Sequence, residues 1–103
     1  MAAYLIARIK VSDWEKYQAY VKATPAVIAK YGGKFLCRAG ETVTLEGPQE
    51  AQRIVLIEFP SLDRAKEFYH SSDYQAVRKL RLEVATGQLI AVEGVKKGSG
   101  GFL

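Results

Sequence analysis

Tyrosine side chains are the groups in this sequence whose number and placement most favour binding chemistry. Five of them fall on or beside predicted helices, at Tyr17, Tyr20, Tyr31, Tyr69 and Tyr74. A tyrosine combines a large apolar ring with one hydroxyl, so several of them beneath a sheet can line a cavity for a small aromatic or enone-like molecule. Core packing with the hydroxyl at the surface is the more common role of any single tyrosine.

Two residues are candidates for moving a proton. Histidine as a residue type can exchange a proton near neutral pH. Tyr20 presents a hydroxyl on a predicted helix, so we take His70 and Tyr20 as candidate catalytic residues. The local sequence supplies no partner for His70 and no Ser/His/Asp or Cys/His arrangement. A surface histidine near the carboxyl terminus of a helix is therefore the competing interpretation.

Four further residues complete the candidate site. Arg38 and Arg81 are each able to hold an anionic oxygen, because a guanidinium is a fixed fork of hydrogen-bond donors. Together with two tyrosines they make up the predicted ligand-binding set, which is Arg38, Tyr69, Tyr74 and Arg81.

Metal and cofactor chemistry find little support in the sequence. One histidine and one cysteine, Cys37, make a metal site improbable, and we expect none. Gly32 and Gly33 follow a predicted helix and do not precede one, which is the wrong order for a phosphate loop. No flavin or nicotinamide fingerprint is present, so we expect no cofactor; haem held by His70 is the remaining alternative. Cys37 itself is predicted to be a small core residue.

The charge distribution and hydropathy of the chain argue against nucleic-acid and membrane partners. The 103 residues carry a formal charge of +4, scattered along the chain, with Lys96 and Lys97 supplying half of it. Nucleic-acid modules concentrate their basic residues on one face, so we expect no nucleic-acid partner. The first ten residues do not resemble a signal peptide, and no apolar run approaches the roughly 20 residues that span a bilayer. The sequence therefore predicts a cytoplasmic protein that does not bind membranes.

Apolar periodicity and turn residues define the secondary structure. Strands are predicted at residues 4–11, 34–39, 53–59 and 88–93, with an additional short strand or extension at 42–46. The first helix is predicted to begin at a capping box formed by Ser12 and Glu15. A break or kink is expected near Ala23–Thr24, with a fresh turn beginning at Pro25. Ser61 caps a second helix, which is broken and capped again at residues 71–73, and Gly87 ends the third helical segment.

The order strand, helix, strand, strand, helix, strand is the split βαβ pattern of a ferredoxin-like fold. We therefore predict an α+β protein, a ferredoxin-like βαββαβ sandwich, in one domain over residues 1–95. In this prediction, strands one and three run parallel, side by side, at the centre of the sheet. The glycine-rich segment 96–103 is predicted to be a flexible tail.

Strand alternation divides the predicted sheet into two faces. The face expected to lie under the helices holds Leu5, Ala7, Ile9, Val11, Phe35, Cys37, Ala39, Val55, Ile57, Phe59, Ile90 and Val92. The other face holds Tyr4, Ile6, Arg8, Leu36, Arg38, Ile54, Leu56, Glu58, Leu89, Ala91 and Glu93. Most of the second face is apolar, which predicts a homodimer through the open sheet face; a monomer with an apolar sheet is the alternative.

Two ion pairs are expected on that second face. Arg8 and Glu58 fall near the ends of the two central strands, and Arg38 and Glu93 fall near the opposite end. A structural pair that fixes the register of a dimer is the favoured interpretation, and a functional pair is the alternative.

Several segments resemble a known family. They are Ala29-Lys-Tyr-Gly-Gly-Lys-Phe-Leu-Cys-Arg38, Glu58-Phe-Pro-Ser61, Phe68-Tyr-His-Ser-Ser-Asp-Tyr-Gln75 and Val92-Glu-Gly94. Over about residues 3–95 the chain resembles small bacterial proteins known as a domain of unknown function, in the dimeric α+β barrel superfamily. The family often has Ser-Pro-Glu-Tyr-Gln where this chain has Ser71-Ser-Asp-Tyr-Gln75, a departure that loosens the start of a helix without changing the fold.

The resemblance implies a homodimer whose two sheets face each other and a cavity in each subunit between sheet and helices. Arg38, Tyr69 and Tyr74 stand at positions that match the family pattern. The superfamily includes cofactor-independent monooxygenases of antibiotic biosynthesis, muconolactone isomerase and haem enzymes, so it implies no single reaction. We expect a small-molecule-binding homodimer, as a cofactor-independent monooxygenase or isomerase acting on an apolar or aromatic ligand. The alternative is a non-catalytic structural or stress-related dimer without a ligand.

Overall fold

The computed structural model describes residues 1–95. Its strands are β1 (Ala3–Val11), β2 (Lys34–Arg38), β3 (Arg53–Phe59) and β4 (Ala85–Glu93). Its helices are α1 (Trp14–Lys30), α2 (Leu62–His70) and α3 (Ser72–Leu82). The segment 96–103, for which the sequence predicts a flexible tail, lies outside the described residues. No helix within residues 1–95 combines the length and apolar character needed to cross a bilayer.

One four-stranded sheet, in the order β2-β3-β1-β4, carries the helices on one of its faces. This is the predicted βαββαβ topology, but β1 and β3 are antiparallel, with Ala3 opposite Phe59 and Ile9 opposite Arg53. The prediction of parallel central strands was therefore wrong. The crossover through α1 makes β1 and β2 parallel, and β3 then returns from β2 in the opposite direction and lies between them.

Helix α1 begins one residue later than the capping box predicts and does not break. Asp13 is its N-cap and accepts a hydrogen bond from the Lys16 amide, whereas the Ser12 hydroxyl donates to the Val84 carbonyl. Pro25 lies inside the continuous helix. Because proline lacks an N–H, it leaves the carbonyl four residues earlier without a helical partner, which is a local cost rather than a break.

The other two helices start where the sequence predicts. The Ser61 hydroxyl accepts from the Arg64 amide at the start of α2, and the Ser71 hydroxyl accepts from the Tyr74 amide at the start of α3. Gly87 was predicted to end the third helix. That prediction was wrong, because Gly87 lies inside β4, opposite Ile9. The 42–46 segment is not a strand; it belongs to the irregular loop between β2 and β3.

Alternation in β1 and β3 places the predicted side chains in the core. The buried residues of these two strands are Ala3, Leu5, Ala7, Ile9, Val55, Ile57 and Phe59. They pack under the helices, against residues such as Ile28, Phe68 and Tyr74, which are almost fully buried. Both central strands therefore present one entire face to the core.

The two outer strands depart from the predicted faces. In β2 a register shift between Phe35 and Cys37 places Cys37 opposite Leu56, on the open face, and Arg38 opposite Val55, on the helix side. Cys37 is exposed, so its prediction as a core residue was wrong, and so was the placement of Arg38 on the open face. One extra residue in a bulge reverses the alternation for every residue after it.

Strand β4 begins three residues earlier than predicted, and its faces are reversed. Leu89 lies opposite Ala7 and faces the helices, whereas Ile90 lies opposite Ile6 and Val92 opposite Tyr4. Ile90 and Val92 are 47% and 49% exposed on the open face. Their assignment to the core was wrong, because a short apolar run does not by itself indicate which of its faces is buried.

The predicted ion pairs are replaced by others. Glu58 lies opposite Tyr4 and near Lys34, with 3.2 Å between Lys34 Nζ and Glu58 Oε1, whereas Arg8 Nε lies 2.6 Å from Glu50 Oε1. The antiparallel arrangement of β1 and β3 places Arg8 and Glu58 at opposite ends, so that prediction was wrong. Arg38 and Glu93 are on the two outermost strands and are not neighbours either.

Gly87 provides a test of the β4 register. A Cβ at this position would lie 2.1 Å from the Arg8 carbonyl oxygen, whereas a Cβ at Gly40 would meet nothing within 4 Å. We expect Gly87→Ala to lower the free energy of unfolding by about 1–3 kcal/mol, as overpacking does. The melting temperature should fall by roughly 5–20 °C. Gly40→Ala is the matched control; equal melting temperatures for the two variants would show that Gly87 is not packed against β1.

Candidate functional site

A narrow cavity separates α1 from the sheet. Its α1 wall consists of Tyr17, Tyr20, Val21, Thr24 and Ile28, and its floor is formed mainly by apolar residues of β1 and β3. The volume open to the centres of water molecules is about 40 Å³, and the whole concavity with the solvent at its mouth is about 470 Å³. The enclosed part has room for about three waters, so a six-membered ring is larger than this part of the cavity.

A pair of tyrosine hydroxyls supplies polar atoms inside this apolar cavity. The Tyr20 and Tyr74 oxygens are 2.9 Å apart, which joins α1 to α3. Tyr74 is completely buried, with its ring 4.6 Å from the Phe68 ring and 5.4 Å from the Tyr69 ring, measured between centroids. The Ser71 cap fixes the first turn of α3 and thereby the position of Tyr74.

Burial raises the pKa of the Tyr20 hydroxyl well above that of an exposed tyrosine, and the adjoining Tyr74 hydroxyl raises it further. Burial also raises the pKa of Tyr17, although the nearby Arg53 opposes this effect. The Tyr17 and Tyr20 hydroxyls are therefore neutral at physiological pH. They can donate hydrogen bonds to a ligand, but they are poor acceptors of its protons.

Arg38 lies at the mouth of the cavity. Its guanidinium lies 4.5 Å from the centre of the Phe35 ring, and its Nη2 donates to the Val21 carbonyl at 2.7 Å. Val21 is four residues before Pro25, so this carbonyl is the one that the helix leaves unpartnered. Arg38 is exposed, and this contact ties it to the helix at the mouth of the cavity.

A second arginine of the cavity, Arg53, was not among the predicted site residues. Its guanidinium lies 5.8 Å from the Trp14 ring and 5.7 Å from the Tyr17 ring, and its Nε is buried without a hydrogen-bond partner. The alternation of β3 indicates its orientation, since Arg53 shares a face with Val55 and Ile57. The strand was predicted only as part of the core.

Arg81 lies behind the tyrosine pair. It is 6% exposed, its guanidinium is 5.7 Å from the Tyr20 ring centre, and its Nε also lacks a partner. The Arg78 Nε is unpartnered as well, although Arg78 does not line the cavity. The structure thus brings together Tyr20, Arg38, Tyr74 and Arg81 of the predicted set, with Arg53 and Tyr17 added.

Tyr69 and His70 occupy a different place. They line a shallower groove of about 160 Å³ between α2 and β4, together with Lys66 and Ile90. His70 is exposed at the end of α2, with its ring 5.2 Å from the Tyr69 ring. The structure therefore separates His70 from Tyr20, because α2 ends on the β4 side of the sheet while α1 covers the cavity. Within residues 1–95, no three His, Cys, Asp or Glu side chains cluster as metal ligands would.

The family follows from the match to its sequence model. Residues 2–95 match the model described as a domain of unknown function, DUF1330. The chain belongs to the DUF1330 family. This is the kind of family that the sequence resemblance implies, and it covers nearly all of the described residues. No curated protein matches the chain.

Solved structures show that this DUF1330 chain has a ferredoxin-like fold. A protein of unknown function from Rhodopseudomonas palustris is 22% identical, with a TM-score of 0.72 over 92% of this chain and 83% of that one. SnoaB, a cofactor-independent oxygenase from Streptomyces nogalater, is 11% identical, with a TM-score of 0.66 over 92% and 94%. A dimeric protein of unknown function and ferredoxin-like fold from Bacteroides fragilis is 22% identical, with a TM-score of 0.60 over 90% and 96%.

Stability at alkaline pH should depend on Tyr20. The folded-state pKa of this hydroxyl is raised above the value near 10 of an exposed tyrosine. Its stabilising contribution is therefore complete below about pH 10 and is lost as the pH rises toward the folded-state pKa. We expect the free energy of unfolding in urea to fall less steeply above about pH 10 in Tyr20→Phe than in the wild type.

Tyr31→Phe is the control for this measurement, since Tyr31 packs on Phe68 outside the cavity. Its pH profile should parallel that of the wild type. If Tyr20→Phe were also parallel to the wild type, the Tyr20 hydroxyl would not be desolvated in the folded chain.

Proposed function

We propose that this chain is a homodimeric small-molecule-binding protein whose ligand occupies the cavity between α1 and the sheet. The observation that carries the proposal is the Tyr20–Tyr74 hydroxyl pair within an apolar cavity. Cavities that bind small molecules combine apolar walls with a few well-placed polar groups in this way. The predicted site residues Tyr20, Arg38, Tyr74 and Arg81 belong to this proposed site; Tyr69 and His70 do not.

The hydroxyl pair favours a ligand that carries an oxygen. One of the two O–H groups donates to the other, which leaves one hydrogen for a ligand oxygen. Because burial keeps Tyr20 neutral, that hydrogen is available at physiological pH. The ligand we propose is a small, flat, apolar molecule with a carbonyl, phenolic or enolic oxygen directed toward Tyr20 and Tyr74.

A cofactor-independent monooxygenase or an isomerase is the reaction class that fits this site. Such an oxygenase draws its electrons from the substrate: an activated CH₂ group and O₂ give a carbonyl and water. Either reaction passes through an enolate, and the Tyr20 and Tyr74 donors would stabilise its oxygen. SnoaB, which shares the fold, is a cofactor-independent oxygenase. Among the described residues that line the cavity, none carries a carboxylate or an imidazole. In this proposal Tyr20 therefore stabilises the enolate oxygen, and water at the mouth of the cavity accepts the proton.

Phenol and toluene form a matched pair of probes, because they differ by one hydroxyl in place of one methyl. We expect phenol to raise the melting temperature more than toluene does at the same concentration. A ligand at a hundred times its dissociation constant stabilises the folded protein by about 2.7 kcal/mol. For this chain length, that raises the melting temperature by roughly 10 °C or more. Tyr20→Phe should remove the preference for phenol.

His70→Ala is the control, since His70 is exposed in the other groove. It should retain the preference for phenol. If neither probe shifts the melting temperature, the alternative of a non-catalytic dimer without a ligand replaces this proposal. Loss of the preference in His70→Ala alone would move the site to the groove between α2 and β4.

The dimer part of the proposal depends on the open sheet face. Its apolar residues are Tyr4, Ile6, Leu36, Ile54, Leu56, Ile90 and Val92, of which Leu36, Ile90 and Val92 are nearly half exposed in the single chain. A continuous apolar surface of this kind is typical of an interface, and a symmetric dimer is its simplest occupant. The Bacteroides fragilis protein with the same fold is dimeric.

Leu56→Lys should dissociate this dimer, because it places a charge on a central strand of the apolar face. We expect the mass measured by light scattering to fall from twice 11.4 kDa to about 11.4 kDa. Leu82→Lys is the matched control, since Leu82 is 45% exposed but lies on α3. A wild-type chain that already has the monomer mass at micromolar concentration would contradict the proposed assembly.

A further inference from the structure

Three arginines lie at or behind the cavity, and none of them pairs with a carboxylate of residues 1–95. Arg38 and Arg53 line the cavity, and Arg81 lies behind the tyrosine pair. Within residues 1–95, ion pairs hold Arg8, Lys30, Lys34, Arg64 and Lys66, but none includes these three arginines. Positive charge that has no counter-charge is therefore concentrated at the cavity.

The register of the sheet places two of these arginines side by side. Arg38 on β2 lies opposite Val55 on β3, and Arg53 is two residues before Val55 on the same face. Both side chains therefore rise from neighbouring strands at the same end of the cavity. On α1, the Arg53 guanidinium lies over two rings, those of Trp14 and Tyr17.

The hydrogen bonds of these arginines are incomplete. Arg53 and Arg81 each have a buried Nε without a partner, and Arg81 is more than nine-tenths buried. Buried guanidinium groups are almost always paired, because the loss of water is otherwise uncompensated. Arg38 donates one hydrogen bond, to the Val21 carbonyl, and that acceptor is neutral. A ligand with negative charge would supply acceptors for Arg38 and Arg53, the two arginines that line the cavity.

We infer that the ligand of this cavity is a small monoanion, a carboxylate on a flat apolar body, with its charged group between Arg38 and Arg53. This inference rests on the proposed small-molecule site and adds the charge of the ligand to it. A carboxylate can accept two parallel hydrogen bonds from one guanidinium, which is a bidentate pair. The apolar body would extend over Val55 and Ile57 toward Ile28, where the cavity has no charged residue.

Benzoate and benzamide test the inference, because they have nearly the same shape and differ by one negative charge. Binding is followed by the fluorescence of Trp14, the single tryptophan, whose ring faces Arg53. We expect benzoate to bind at least about tenfold more tightly than benzamide, as a charge-assisted hydrogen bond provides. Equal affinities would overturn the inference of an anion while leaving a small-molecule site intact. No binding of either compound would overturn both.

Two variants at Arg53 locate the charge. Arg53→Gln should weaken benzoate binding about tenfold and leave benzamide binding unchanged, and Arg53→Lys should restore part of the preference because it keeps the charge. Arg64→Gln is the matched control, since Arg64 covers the Tyr31 ring and pairs with Glu67 away from the cavity. If Arg64→Gln reduced the preference as much as Arg53→Gln, a general effect of positive charge would replace the proposed site.

Discussion

The contact between Arg38 and the Val21 carbonyl ties the edge of the sheet to the helix that covers the cavity. Pro25 has no N–H, so the Val21 carbonyl one turn earlier has no partner within α1. The guanidinium of Arg38 donates to this carbonyl at 2.7 Å and gives it the partner that the helix lacks. A proline that is locally unfavourable in the helix thus holds an arginine at the mouth of the cavity.

Aromatic contacts between the helices hold α1 away from the sheet and leave the cavity beneath it. Tyr20 reaches across to Tyr74, which packs against Phe68, so aromatic rings join the three helices above the strands. Rings of this size keep α1 away from β1, and the small Ala7 side chain in the floor leaves space beneath it. None of the three helices of residues 1–95 covers the other sheet face, so the cavity and the proposed interface lie on opposite sides of one sheet.

The sequence contains enough to predict the fold and the core of the central strands. In β1 and β3, apolar residues alternate without interruption, so Leu5, Ile9 and Ile57 could be assigned to the buried face. Cys37 and Arg38 could not, because the bulge in β2 has no glycine or proline to mark it and reverses the alternation. Ile90 could not either, since it lies in an apolar run that fits both faces.

The candidate site was predictable only in part. Tyrosines at helical spacing indicated Tyr20 and Tyr74 as neighbours of a cavity, and the structure adds their direct hydrogen bond. The alternation of β3 could have placed Arg53 on the helix side, because it shares a face with Val55 and Ile57. Its unpaired Nε could not be predicted, because it depends on tertiary packing. His70 was included for its chemistry alone, and distance along the chain gives no measure of distance across the sheet.

Ligand binding between α1 and the sheet, at the tyrosine pair, can be observed by NMR of the six tyrosines, labelled with ¹³C at Cζ, during a titration with benzoate. We expect the Tyr17, Tyr20 and Tyr74 resonances to shift, while those of Tyr4 on the open face and Tyr31 outside the cavity stay unchanged. Shifts confined to Tyr69, in the other groove, or to Tyr4 would place the ligand elsewhere and overturn the proposed site.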